Sequence, residues 1–407
     1  MNNLLIKKPI DKTITREQFL EDMDCLFLNL KELYGMYHYF GEEKFIQARQ
    51  IVEQQIEQAF AFDQTLENLK RELSFIKDGH FYIGDAKPYE KRYDYAIRYT
   101  NYKGIPVIDC KKFYHDTEEE LEQLKEFAKS GECYRGDGDL ILDFRGNIGG
   151  SSVYIYEFLE GLLGREESEC SRIPNKKKIF VLLDEVTASA AEEGLAVLKN
   201  IEDVTIVGEH SAGCASCGNC LAFYLPHSHL KVRFGTGAVL YEGYRNVDAE
   251  GGFKGDIGLP AFKKWMEIRT NPQYTIKEYC GYNEAEILPL YTSVGWINYT
   301  EHVEMLRLAF EHSLKTIAVY DETSLIGLIR VIGDGHSAIS IQDLLVLPEY
   351  QGKGVGTALL CEILIRYRDV YQKTLLTDDT EKTVRFYQSM GFRSASDIGC
   401  RAFISVR

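Results

Sequence analysis

The sequence predicts an α/β domain with a mixed sheet and crossover helices, introduced by an N-terminal helical subdomain and followed by a separate α+β domain. Three observations lead there. Apolar residues recur at helical spacing through residues 14–76. Short branched strands then alternate with helices, the order that builds parallel or mixed sheets. Past Pro272, which discourages a continuing helix, a strand meander gives way to helix, strand and helix. The expected domains are residues 1–76, 77–270 and 272–407.

Each element has its own signal. Thr15 is placed to cap a helix in which Phe19, Met23, Leu26 and Leu30 keep a three- and four-residue rhythm. Further helices are expected over 42–60 and 65–76. His80 to Ile83 and Ile105 to Asp109 read as short strands, and Thr117 to Ser130 as a polar-faced helix. Asp139 to Phe144 is a buried strand entering a glycine-rich turn. A helix near 153–163, a strand at 178–183, a helix near 189–199 and a strand at 204–207 follow. From Cys220 to Leu240 the pattern is strand-like. In the last domain strands are expected at 274–279, 315–320, 325–333, 338–347 and 374–377, and helices at 301–313, 354–367 and 381–390.

Charge and composition narrow the partners. The 407 residues carry 47 Lys and Arg against 62 Asp and Glu, formally −15. That balance argues against duplex nucleic acid or an anionic membrane, because phosphate binding needs a basic patch. No apolar run approaches the roughly 18 residues of a spanning helix, and Asp184 interrupts even Ile179 to Leu183. The first residues are too charged for a secretory leader, so a cytoplasmic location is the expected default. The ten cysteines, Cys170 among them, then read as reduced thiols. In Cys214, Cys217 and Cys220, thiolates three apart could grip a soft metal with His210 or His229 as a further ligand. Packing is the favoured reading, since the paired knuckles of zinc motifs are missing.

Two segments carry chemistry in the larger domain: DFRGNIGG at 143–150 and TASAAE at 187–192. In each, a buried strand ends in small residues and opens a helix. A hydroxyl at such a helix start gains from free N–H groups that favour developing negative charge. Gly146, Gly149 and Gly150 allow close backbone approach. A serine beside an amide pair is the geometry of acyl transfer. Taken alone, Ser189 is a good helix cap.

These segments resemble the tail-specific, or C-terminal processing, serine peptidases, which are tricorn-like. Asp78-Gly79-His80, the run from Gly208 to Gly213, Leu225 to Ser228 and Gly251 to Ile257 follow in the family's order. The resemblance covers roughly residues 14–265. It implies Ser189 as nucleophile, with the Ala190 N–H and that of Gly149 or Gly150 as the oxyanion hole. Cys214 stands where many members carry a base lysine, which leaves His80 as base. His210, His227 and His229 are its rivals. Glu250 stands where tricorn-like members place an orienting carboxylate. Gly255 replaces the usual proline before Asp256, and the family's common peptide-binding insertion is missing between Tyr89 and Cys133. A peptide-binding, non-hydrolytic domain is the alternative, and a metal-sensing regulator a third reading.

The last domain carries a second site. The strand ending Leu345-Val346-Leu347 runs through Pro348 into Gln351-Gly352-Lys353-Gly354-Val355-Gly356-Thr357 and a helix. Amides of such a turn can wrap a pyrophosphate. It is neither a dinucleotide fingerprint nor a Walker loop. With Phe386-Tyr387 and Gly391-Phe392, it resembles the Gcn5-related (GNAT) N-acetyltransferases over residues 272–407. The resemblance implies acetyl-CoA held by the amides of Gln351 to Thr357, with Leu345 and Leu347 along its pantetheine arm. It implies Tyr387 as proton donor to the leaving thiolate, and an amine acceptor. Asp343 is the expected base. Together these readings describe a bifunctional chain with a peptide substrate and an amine acetyl acceptor.

Overall fold

The computed structural model describes residues 8–85, 93–164, 178–241 and 246–403; Cys170 lies outside them. The chain divides into two compact units, residues 1–204 with 210–254 and residues 205–209 with 255–407.

The chain begins with α1 (Arg16–Leu33), α2 (Tyr37–Phe40), α3 (Glu42–Gln58) and α4 (Phe62–Glu72). Thr15 caps α1: its hydroxyl accepts the Gln18 N–H while the Gln18 side chain returns to the Thr15 N–H. There follow β1 (Tyr82–Gly84), β2 (Ile97–Tyr102), β3 (Ile105–Cys110), α5 (Glu118–Ser130), β4 (Leu140–Asp143) and α6 (Ser152–Leu163). Then come β5 (Ile179–Leu182), α7 (Ala190–Lys199), β6 (Val204–Val207), β7 (Cys217–Tyr224) and β8 (Lys231–Ala238).

A mixed sheet runs in the order β2-β3-β4-β5-β6. Strands β3, β4 and β5 are parallel, and β2 lies antiparallel at the edge. Every residue of β4, β5 and β6 is buried, as expected of strands covered on both faces. A three-stranded antiparallel sheet runs β1-β8-β7. The apolar stripes of α1, α3 and α4 close on it: Phe19, Leu26, Val52 and Leu66 share one core with Cys217, Val232 and Phe234. Residues 1–76 therefore complete the core of this sheet instead of holding one of their own.

The second unit contains α8 (Leu259–Arg269), β9 (Tyr274–Glu278), α9 (Glu284–Ser293), α10 (Ile297–Thr300), α11 (Val303–Glu311), β10 (Lys315–Asp321), β11 (Ser324–Gly333), β12 (Ala338–Val346), α12 (Val355–Arg366), β13 (Gln372–Leu375) and α13 (Glu381–Ser389). Its sheet runs β13-β12-β11-β10-β9, antiparallel except for β12 with β13. Tyr291, Leu306 and Phe310 from α9 and α11 cover one face over Leu328 and Leu345. Helix α8 packs on α12, where the buried Trp265 donates Nε1–H to Glu362 at 3.0 Å. A boundary at 270–272 was expected. The break near Pro272 is the end of α8, and the units divide near residue 255 because α8 buries its apolar face in the second. Among the described residues, no helix is long and apolar enough to cross a membrane.

Candidate active sites

Ser189 stands between β5 and α7 in a loop fixed from several sides. Asp184 Oδ1 accepts the N–H groups of Gly146 at 2.9 Å and Thr187 at 3.1 Å, joining this loop to the glycine turn after β4. Thr187 Oγ1 donates to the Phe144 carbonyl at 2.9 Å, and the Ala188 N–H to the Asn147 carbonyl at 2.8 Å. Ser189 is held at φ 55°, ψ −122°. A non-glycine residue there costs of order 1–3 kcal/mol and persists only where its surroundings dictate it. The glycine turn comes so near that a Cβ on Gly149 would lie 2.6 Å from Ser189 Cβ.

His80 is buried, and its Nε2 lies 3.2 Å from Ser189 Oγ. Asp78 Oδ1 accepts the His80 backbone N–H at 2.8 Å but sits 3.6 Å from its Nδ1, beyond a hydrogen bond. That Nδ1 and Asp78 Oδ2 are both buried without a partner. Burial works to lower the His80 pKa. Asp78, then the thiols of Cys214 and Cys220, outweigh it and push it up to about 12.

Glu192, one turn into α7 and wholly buried, gathers four donors. They are the N–H groups of Ser189 at 3.0 Å, Gly213 at 2.9 Å and Cys214 at 2.8 Å, and the Ser211 hydroxyl. Burial raises its pKa more than these bonds lower it. The carboxylate clamps the serine to the loop that carries Cys214. Asp248 does similar work nearby, accepting the N–H groups of Gly79 at 3.2 Å and Ala215 at 2.8 Å.

The expected residues fall into place unevenly. Ser189, His80, Gly149, Gly150 and Ala190 come together. Ala190 opens α7, so its N–H has no acceptor within the helix. The Gly149 N–H is given to Asn147 Oδ1 at 2.8 Å. Glu250 does not reach the imidazole. It is exposed and accepts the Asn246 N–H at 3.3 Å across its own turn; Asp78 is the carboxylate nearest the His80 ring. The rival histidines face other partners: His210 the Ser211 carbonyl, His227 Glu21, and His229 the Pro9 carbonyl. Of the three thiols, those of Cys214 and Cys220 lie beside His80 and that of Cys217 points away. Cys217 enters the core, Cys214 lies against Gly79, and the exposed Cys220 accepts from Arg233 Nη2 at 3.4 Å. Burial tends to raise the Cys220 pKa, but His80 and Arg233 outweigh it and lower it. Among the described residues, no group of three His, Cys, Asp or Glu side chains could hold a metal ion. Glu192 is absent from the expected site residues, and Cys220 appears among them only as a metal ligand or packing residue. The Ser-x-x-Glu spacing of a capping box was the available signal for Glu192.

In the second unit, β12 and β13 pair only from Ala338 to Ile341, after which they part. A bulge at Gln342 shifts the register with β11 between Ile341 and Asp343. The Leu347 N–H donates to the Ile326 carbonyl at 2.9 Å. By antiparallel alternation the backbone groups of Leu345 and Leu347 therefore face β11, and those of Leu344 and Val346 face the opening. Of the expected Leu345, Val346 and Leu347, only Val346 turns its backbone to the opening, with Leu344 in place of the other two. Gly352 and Gly354 adopt φ 75° and 92°, which suit glycine alone, as the chain turns into α12. The first-turn amides of Val355, Gly356 and Thr357 have no acceptor within α12. The N–H groups of Gln351 and Lys353 turn inward to the carbonyls of Pro348 and Tyr350. This open, amide-rich cradle fits a pyrophosphate, with the parted strands leading from it. A cavity of about 420 Å³ beside it is bounded by Val346, Gln351 and Tyr387. Burial raises the Tyr387 pKa, so the phenol keeps its proton. Asp343 does not face this cavity: it is buried against Arg330, with Tyr291 Oη at 2.6 Å.

Residues 284–406 match the family described as acetyltransferase (GNAT) domain, and residues 104–258 match peptidase family S41. The uncharacterized N-acetyltransferase ycf52 of Gracilaria tenuistipitata var. liui is 29% identical over 143 residues, 33% of this chain and 75% of that protein. GCN5-related N-acetyltransferase 2, chloroplastic, of Arabidopsis thaliana is 42% identical over 76 residues, 18% of this chain and 28% of its own length. Among solved structures, the GNAT family protein SP0256 of Streptococcus pneumoniae is 42% identical with a TM-score of 0.31, covering 33% of this chain and 98% of that one.

Proposed function

We propose that this chain, which carries an S41 peptidase-like domain and a GNAT acetyltransferase domain, hydrolyses a peptide bond through an acyl-serine and transfers acetyl from acetyl-CoA to an amine. The 3.2 Å approach of His80 Nε2 to Ser189 Oγ carries the first half. A neutral His80 takes the Ser189 proton as the hydroxyl attacks the carbonyl, then returns it to the leaving amine. The oxyanion meets the Ala190 N–H and, since Gly149 is committed to Asn147, the Gly150 N–H. Asp78, 3.6 Å from Nδ1 on the opposite side, would orient the ring by closing that gap. In the second half, acetyl-CoA would set its pyrophosphate on the amides of Gly352 and of Gly354 to Thr357, since that of Lys353 is given to Tyr350, and its arm along Leu344 and Val346. Tyr387 donates its proton to the departing thiolate. N-acetyl transfer is also what the names of the GNAT relatives carry.

A second reading has its own observation. With the His80 pKa raised and Nδ1 unpartnered, a ring that kept its proton would donate to Ser189 instead of accepting, which suits a domain that only binds peptides. A fluorophosphonate probe separates the two. Hydrolysis predicts labelling of the wild-type chain that Ser189→Ala and His80→Ala both abolish. No labelling of the wild type across neutral and alkaline pH favours the binding reading. Calorimetric titration with acetyl-CoA tests the second half independently.

A further inference from the structure

The acetyl-transfer reading leaves the acceptor unnamed, and the following inference rests on that reading. Two cavities adjoin on the open side of β12. The inner one, about 420 Å³, meets the glycine turn at Gln351 and the parted strand at Val346, with Tyr387 beside it. The outer one, about 500 Å³, lies toward Asn298, Tyr299 and Ser340. They share Trp296, Ile341, Gln342 and Leu376 as a common wall. A thioester held in the inner cavity would face an acceptor held in the outer one. Both volumes suit small molecules.

The outer cavity has a definite chemistry. Trp296 and Tyr299 are half-buried and stack with centroids 5.4 Å apart and planes at 25°. The buried Tyr291 backs both, at 6.0 Å from Trp296 and 5.7 Å from Tyr299. Gln342, the residue aimed outward by the bulge, donates Nε2–H to Tyr299 Oη at 3.4 Å. The platform is thus braced from behind and from the side. Among the described residues lining the two cavities, Asp378 carries the only formal charge, and it lines the inner one. The outer cavity offers only neutral polar groups, those of Asn298, Ser340 and Gln342 with the Tyr299 hydroxyl and the Trp296 N–H of its aromatic wall.

We infer that the acetyl acceptor is an aromatic monoamine, a single primary amine carried on a flat, uncharged ring body. The ring lies on the Trp296–Tyr299 platform, where offset stacking adds to the burial of apolar area. The amine extends past Gln342 toward the thioester, and Asp378 lies on its side of the wall. Its nitrogen forms the new amide bond as the carbon–sulfur bond breaks; its proton leaves to solvent and Tyr387 protonates the thiolate. Polyamines lack a second carboxylate there, and phosphate-bearing amines lack a cation, so each would leave a charge desolvated and unpaired.

The test measures thiol release from acetyl-CoA with 2-phenylethylamine, spermidine and glucosamine 6-phosphate as acceptors. The inference expects kcat/KM for 2-phenylethylamine to exceed the other two by about tenfold or more. Trp296→Ala is expected to raise its KM about tenfold and leave the acetyl-CoA Kd unchanged, while Trp296→Phe retains most of the affinity. Asn298→Asp, which keeps size and adds a carboxylate to the outer cavity, should shift the ratio toward spermidine. Acetyl-CoA binding together with preference for spermidine or the sugar phosphate, or with a Trp296→Ala KM equal to wild type, overturns the acceptor class. Failure to bind acetyl-CoA at all removes the acetyl-transfer reading instead.

Discussion

Glu192→Gln tests what holds the serine in place. The carboxylate accepts from four groups, the N–H of Ser189, Gly213 and Cys214 and the hydroxyl of Ser211. Glutamine keeps one acceptor oxygen and turns an NH₂ toward the remaining donors. With the NH₂ toward Ser211 and Gly213 the hydroxyl can turn and accept, which leaves the Gly213 N–H without an acceptor. A buried donor left unsatisfied costs about 1–3 kcal/mol, so the variant loses about 1–3 kcal/mol. Both tryptophans, Trp265 and Trp296, belong to the second unit. Intrinsic fluorescence along a urea titration therefore reports that unit, and fluorophosphonate labelling along the same titration reports the first. The labelling midpoint should fall while the fluorescence midpoint stays. The labelling rate in buffer should also fall, because the Ser189 backbone loses its anchor at a strained φ. A labelling midpoint within about 0.5 kcal/mol of wild type, the range of an ordinary surface substitution, would refute the clamp.

Three further outcomes follow from the same geometry. Labelling of Ser189 should accelerate as pH rises above neutral, because only the neutral ring accepts its proton and His80 is raised to about 12. Cys220→Ser removes one of the groups that raise it, so the alkaline limb should move to lower pH; an unmoved limb contradicts the assignment. Tyr387→Phe should lower kcat for acetyl transfer by about a hundredfold with an unchanged acetyl-CoA Kd, checked by steady-state kinetics and calorimetry. Asp343→Asn should lower the fluorescence-monitored stability by about 3–5 kcal/mol, since Arg330 is left buried and unpaired; its pH–rate profile should remain that of wild type, whereas a lost limb would restore Asp343 as base.

Elements with strong periodicity could be read from the chain. Strands β4 to β6 are unbroken apolar runs, and α1 announces itself with a capping box. Strand β2 was missed because it is an edge strand with only Ile97 buried, leaving no alternation to detect. Helix α9 was missed because Pro289 interrupts its interior. The pairing of Ser189 with His80 spans 109 positions, and no local pattern encodes it; the ordered segments of a family resemblance supplied it. The third group was a different matter. Asp78 stands two residues before His80 in plain view. Glu250 was chosen because its neighbourhood matched a pattern, but the turn at 246–252 directs Asp248 inward and leaves Glu250 outside. On β12, a one-residue error of phase named Leu345 and Leu347 where Leu344 joins Val346. Period-two structure turns each residue so misplaced to the other side.

Distance and proton affinity separate in the serine site. A 3.2 Å approach of nitrogen to oxygen is shared by an imidazole about to accept a proton and an imidazolium donating one. The choice lies with the charges around the ring, and here two of them are thiols at 214 and 220. A thiol ionises only a few pH units above neutrality, so each stabilises the protonated ring only to the extent that it has itself lost a proton. Cys220 is the more adjustable of the two, being exposed and paired with Arg233, whereas burial raises the pKa of Cys214. A change in the charge on Cys220 therefore bears on the His80 proton, after Asp78 and Cys214. The geometry built by Glu192, Asp184 and the glycine turn is compatible with hydrolysis and with simple peptide binding alike. What divides them is the occupancy of one nitrogen, favoured first by Asp78 and then by the thiols of Cys214 and Cys220.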